Sequence, residues 1–366
     1  MSPDTAVVES AIPTWLQTER TVPPIKGPDY KPAFELYTSR FPRDTKDLVM
    51  AIIGAQYAPG VSNDGQAIGS IMAFATKGEP ECTPGFYETA AVTDQDDYYN
   101  VAVIMYWKSK AAHEQWAATS GFHQWWNNLG TGQHRHGWFL EVFVPTIERL
   151  ETVVTTGWPQ GISHLRDEVS GPIREHVYWG SMRDRFPISQ VDTLAGEPSL
   201  DSNRDSVKNK NIIPGRIRAR GRRNLVVIRS GQDWAEAAPE EREMYINDMQ
   251  PALTAGMDFL RDSGDEVGCF SCRFMSVVDP KKDFSETEAT FGLAYFDSLE
   301  SLENWSKSHR THLRIFAEFS KYAKAMGEDM SLKLFHEVFV LEPEQQLFEY
   351  IDCHRQTGML GTGKAA

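Results

Sequence analysis

The chain has 366 residues, 41% of them apolar and 11% aromatic, which is enough for an ordinary core and about two or three domains of usual size. Its formal charge of −14 argues against nucleic acid or an anionic membrane as the main partner. No run approaches the ~18 apolar residues of a membrane helix, and the first residues (MSPDTAVVESAIPTW) lack the basic-then-apolar layout of a signal peptide, so a soluble, cytoplasmic protein is expected.

Residues 1–46 are rich in proline and weakly periodic, which predicts an irregular arm. Residues 47–150 read as a first unit. It contains the apolar run LVMAIIGAQ (48–56), the segment YWKSKAAHEQWAATSGFHQW (106–125) and the tetrapeptide EVFV (141–144). Residues 151–222 do not repeat. They hold a polar stretch, LAGEPSLDSNRDSVKNKN (194–211), that predicts a surface loop, and a basic run, RIRARGRR (216–223). In so acidic a protein the basic run reads as a solvated strand edge beside acidic neighbours. Residues 223–345 read as a second copy, with LVVIRSGQ (225–232), YFDSLESLENWSKSHRTHLR (295–314) and EVFV again at 337–340. Residues 346–366 form a tail.

At a constant offset of 189, Tyr106 falls on Tyr295, Trp116 on Trp305 and His123 on His312. One domain plan used twice is the expectation. The copies differ where function should sit: the second carries His309, His312 and His336, and the first has Leu140 opposite His336. Leu299, Leu302, Trp305, His309, His312 and Phe316 recur at three- and four-residue steps, which predicts one stripe of a single helix. SLKLFHEVFVLE alternates, so Leu332, Leu334, His336, Val338 and Val340 should share a strand face, as should Val226, Ile228 and Ser230. Antiparallel sheets covered by helices, built twice, make an α+β fold.

Neutral imidazole is the commonest metal ligand and suits proton transfer near neutral pH. Three chemistries fit. His309, His312, His336 and Glu337 could hold a bare metal ion, although HxxH without a carboxylate on its helix is a weak zinc signal. One histidine could be the axial ligand of a haem, held non-covalently because C-x-x-C-H is absent. Alternatively, both histidines are packing residues of a binding module. Cys269 and Cys272 form a C-x-x-C without a second pair, which reads as ordinary reduced thiols.

The strings YWGSMRDRFPISQ (178–190), IRSGQDWAEA (228–237), MDFLRDSG (257–264), SHRTHLRIF (308–316), FHEV (335–338) and EYIDCHRQTGML (349–360) resemble the haem-containing aldoxime dehydratases, also called phenylacetaldoxime dehydratases. The resemblance runs from about residue 47 to the C-terminus. It implies dehydration of R–CH=N–OH to a nitrile, haem b as cofactor, a homodimer, and two ferredoxin-like repeats of the dimeric α/β-barrel type. Carried over by motif, His312 is the proximal iron ligand and His336 the distal acid–base residue. Arg185 and Ser230 contact the substrate hydroxyl, and Glu151 supports the site. The family usually has SHPTH where this chain has SHRTH, so Arg310 replaces a proline. Two readings compete: peroxide chemistry on the same haem, and a haem carrier or sensor with both histidines on iron.

Overall fold

The computed structural model describes residues 7–197 and 212–362. The arm contributes a short strand, β1 (Ser39–Arg40). The first unit then runs β2 (Val49–Tyr57), α1 (Gln66–Ala75), β3 (Phe86–Thr93), β4 (Tyr99–Trp107), α2 (Lys110–Thr119), α3 (Phe122–Asn128) and β5 (His136–Phe143). Between the units lie β6 (Leu150–Val154), β7 (Glu168–Val169), α4 (Ser181–Arg185) and β8 (Arg216–Ala219). The second unit runs β9 (Leu225–Asp233), α5 (Pro239–Met244), α6 (Gln250–Ser263), β10 (Cys269–Asp279), β11 (Ser285–Phe296), α7 (Leu299–Ser308), α8 (Arg310–Met326) and β12 (Lys333–Leu341). β13 (Gln346–Ile351) follows. No helix among the described residues is long and apolar enough to cross a membrane.

Eleven described strands form one continuous antiparallel sheet, β6-β12-β9-β11-β10-β3-β4-β2-β5-β13-β8, where two sheets were expected. The junction is the pairing of β10 with β3. Each unit has the order strand–helix–strand–strand–helix–strand, with its first strand between its fourth and its third. One face of the sheet curls inward: Met50, Ile52, Ile104 and Phe139 of the first unit share a core with Val227, Phe291, Leu293 and Phe339 of the second. The other face carries the helices. The alternation predicted for β9 and β12 holds, so Ser230 and His336 lie on that outer face, directly paired across the two strands.

Three expectations are corrected. The stripe from Leu299 to Phe316 spans two helices, because His309 takes an extended conformation (ψ 134°) and its ring accepts from the Thr311 backbone N–H as the N-cap of α8. The segments expected to be a non-repeating insertion and a tail open with corresponding strands. β6 pairs with β12 of the second unit, and β13 pairs with β5 of the first, so each unit lends a fifth strand to the other. The register equates Glu151 with Leu347, because they face Val338 and Val142.

The basic run is a strand edge, as expected. Arg216 and Arg218 both pair with Glu349 on β13, and Arg220 with Glu197. From residue 198 onward the predicted polar loop lies outside the described residues.

Candidate active site

The two units treat their outer faces differently. In the first, Ala51, Ile53, Trp138 and Leu140 are fully covered by a cluster that includes Trp116, Phe122 and Trp126. In the second, the counterparts Ile228, Ser230, Leu334 and His336 are only half-buried. On α8, His312, Ile315 and Phe319 are also half-buried, and about half of Leu313 and Phe316 is exposed. The outer face of the second unit, where the histidines are, is therefore less covered than that of the first.

His312 sits on the first turn of α8 with its ring edge-on to Trp305, centroids 4.8 Å apart. Trp305 belongs to the same apolar cluster as Val338 and Ile228, which flank His336 and Ser230. The Nδ1 of His312 is buried without a hydrogen-bond partner. Burial lowers its pKa, and the Ser306 carbonyl opposes that only in part, so the imidazole is neutral. A buried imidazole nitrogen without a hydrogen-bond partner, on a helix whose apolar side chains are partly exposed, fits the ligand of a flat apolar cofactor. His123, its repeat counterpart, is exposed. His309 caps α8 and stacks on Phe259 at 4.0 Å, so the HxxH pair does not converge. Among the described residues no group of three or more His, Cys, Asp or Glu side chains could hold a bare metal ion. All four cysteines are buried, and burial pushes the Cys272 thiol up to about 12.

The structure brings together three of the predicted residues around one carboxylate. Arg185, at the end of α4, donates from Nε and Nη2 to the two oxygens of Glu151, at 2.7 and 3.1 Å. Its Nη1 donates to the Glu175 carbonyl at 2.8 Å. Nη2 also lies 2.9 Å from His336 Nε2, and that nitrogen is 3.1 Å from Glu151 Oε1. A single ring nitrogen cannot accept from Arg185 and donate to Glu151 at once. The first contact uses that nitrogen as an acceptor and the second as a donor. Burial alone would raise the Glu151 pKa, but Arg185 and His336 overcome it and bring it down to about 2. The Ser230 hydroxyl makes no hydrogen bond to a described residue and faces the same side as His336.

The N-terminal arm holds this arrangement. Asp184 accepts from the backbone N–H groups of Ile25 and Lys26, Glu175 from Ala11, and Gln190 from Thr18. The turn into α4 needs Gly180 (φ +83°), where a Cβ would meet Ile25. Sequence reasoning missed the Glu175 carbonyl and His176, which is buried with neither ring nitrogen hydrogen-bonded and its pKa lowered to about 4 by burial and by Arg185. Periodicity carries no signal for a backbone acceptor in an irregular segment.

The model of the family described as haem-containing dehydratase matches residues 51–359. The chain is 37% identical to the aliphatic aldoxime dehydratase of Pseudomonas chlororaphis, over 96% of this chain and 98% of that one. It is 27% identical to the phenylacetaldoxime dehydratase of Bacillus sp. (strain OxB-1), over 91% and 92%. Among solved structures it is similar to a crystal structure of an aldoxime dehydratase in complex with butyraldoxime, with a TM-score of 0.87 at 35% identity, covering 98% of this chain and 97% of that one.

Proposed function

The chain belongs to the haem-containing dehydratases, and on that premise we propose that it converts aldoximes, R–CH=N–OH, to nitriles and water with haem b as its cofactor. The observation that carries this reading is the contact of His336 Nε2 with both Arg185 and Glu151, on the sheet face that holds Ser230. His312 would hold the haem. When bound, ferrous haem supplies an electron-rich site for the oxime nitrogen, which weakens the N–O bond.

The remaining steps are the work of side chains. Hydroxide is a poor leaving group, so a proton has to reach the oxime oxygen. His336 delivers it from Nε2, the N–O bond breaks, and water departs. The imidazole then takes the hydrogen from the aldoxime carbon as a proton, and that C–H electron pair completes the C≡N bond. Protons balance over the cycle. Arg185 and Ser230 hold the hydroxyl near His336, which is an orienting contribution. Glu151 stabilises the imidazolium and fixes the guanidinium plane. Ile228 and Leu334, half-buried on the same outer face, would accept the alkyl or aryl group.

Both units read as ferredoxin-like repeats, supported by their common strand order, with working boundaries at 47–150 and 223–345. A cytoplasmic homodimer completes the reading, the homodimer being what the family resemblance implies.

His312→Ala should give folded protein with little or no haem, read from the Soret band. Stoichiometric haem with an unchanged spectrum in that variant would overturn the ligand assignment. Dithionite-reduced wild-type protein supplied with an aliphatic aldoxime should form the nitrile. Equal turnover by fully oxidised protein would contradict the electron flow.

A further inference from the structure

Beneath the proposed catalytic pair, on the inner face of the sheet, lies a buried polar network that the reaction itself does not use. Arg229 and Glu337 are each one residue from Ser230 and His336, and they pair directly across β9 and β12 as those two do. Glu337 accepts from the Tyr106 hydroxyl at 2.5 Å and from the Ile162 backbone N–H at 2.7 Å. Arg229 Nη1 donates to the Tyr106 hydroxyl at 3.0 Å and lies 3.6 Å from Glu337. Glu88 pairs with the other guanidinium nitrogen. Tyr106 and Glu88 belong to β4 and β3, in the unit that has no histidine site.

The same device occurs in reverse. Tyr295, the repeat counterpart of Tyr106, donates to Glu141, the counterpart of Glu337. Arg273 donates to the Tyr295 hydroxyl at 2.6 Å and pairs with Glu141, which also accepts from Tyr350 at 2.8 Å. Gly161 and Gly358, both at positive φ, lie where a Cβ would collide with Glu337 and Glu141 respectively. This second network lies under Leu140 and Ile53, which do no chemistry.

Resting on the proposed function, we infer that Tyr106 and Glu88 are positioning residues for the reaction, acting through Glu337 and Arg229 to fix the height and direction of His336 and Ser230. A buried charge network holds its groups to a narrow geometry, because each displaced partner leaves an uncompensated charge. Side chains on alternate faces share one backbone, so fixing Glu337 and Arg229 fixes their neighbours. A shift of about 1 Å in a catalytic group can cost up to ~100-fold in rate.

The first unit supplies its own control. Tyr106→Phe and Tyr295→Phe remove equivalent buried hydroxyls and should lower the melting temperature by similar amounts. Tyr106→Phe should reduce kcat for an aldoxime about ten-fold or more with KM within about two-fold. It should also move the titration of the His336 ring, which faces Glu151 and Arg185, followed by NMR in the ferrous carbonyl form and assigned by its loss in His336→Ala. Tyr295→Phe should leave kcat and that titration unchanged. Equal loss of kcat in both variants, or an unmoved His336 titration in Tyr106→Phe, would show the network to be structural only. If Tyr106→Phe does not fold, Glu88→Gln carries the same comparison. The ring titration needs no aldoxime, so it separates failure of this inference from failure of the proposed reaction.

Discussion

His336 has one nitrogen facing both a donor and an acceptor, and its proposed acid–base role rests on that contact. His336→Ala should keep haem and still bind aldoxime. Nitrile formation should fall by at least ~100-fold, the usual contribution of a positioned acid or base. A spectral titration and a nitrile assay on one preparation decide this; near-normal turnover would pass the role to Arg185. Glu151 makes a separate, pH-linked prediction. Its carboxyl titrates near 4.5 in the unfolded chain and at about 2 in the fold, so its stabilisation is complete above the unfolded value and is lost as pH falls through the folded one. That stabilisation amounts to roughly 3 kcal/mol. Glu151→Gln should flatten the stability of the protein between pH 4.5 and 2, measured by denaturant midpoints, and lower it at pH 7. An unchanged slope would mean that Arg185 does not hold the carboxylate. Ser230, His312 and His336 were visible in the sequence as polar residues on apolar faces. Arg185 and Glu151 were reached only through motif resemblance, because they come from the segment between the units and meet through tertiary contacts.

Helix α8 starts afresh at His309, and that break sets the direction of His312. Apolar residues kept their three- and four-residue steps across the break, so periodicity predicted one helix where the backbone makes two. The local signal was a side chain able to cap. His309→Ala should cost about 1 kcal/mol, as loss of an N-cap does, while the Soret band stays at full height. Loss of haem in that variant would place His309 on the iron. Arg310 occupies the first position of α8, where the family's usual proline would be favoured, so either residue permits the same helix start. Strands β6 and β13 escaped the repeat analysis for a different reason. Their sequences, LETVV and QLFEYI, share almost nothing, and their equivalence lies in which strands they hydrogen-bond.

At the scale of the molecule, both units share one strand order and their outer faces are covered unequally. Tryptophan side chains cover in the first unit the face whose counterparts in the second, Ile228, Ser230, Leu334 and His336, are only half-buried. The mixed α/β class, with an antiparallel sheet and helices, was legible from the apolar patterns of the sequence. The joining of both units into one sheet was not, because nothing in β3 or β10 marks an edge that pairs across the repeat. The exchange of fifth strands predicts that ending the chain at residue 345 will damage the first unit, far from the histidines along the sheet. Its β5 edge would be bare, and limited proteolysis should cut within 110–143 sooner than within 225–341. Cleavage in the reverse order would show that β13 contributes little.

The exchange also sets a timetable for synthesis. β5 ends at residue 143, and its partner β13 begins at residue 346, so roughly 200 residues separate them on the ribosome. At ~5–20 residues per second the nascent first unit waits about 10–40 s with HGWFLEVF as an unpaired edge. That strand has a single carboxylate among its eight residues and no proline, which makes it a ready template for pairing with another chain. The yield of soluble protein should therefore depend on expression temperature and chaperone supply, through the first unit and independently of haem.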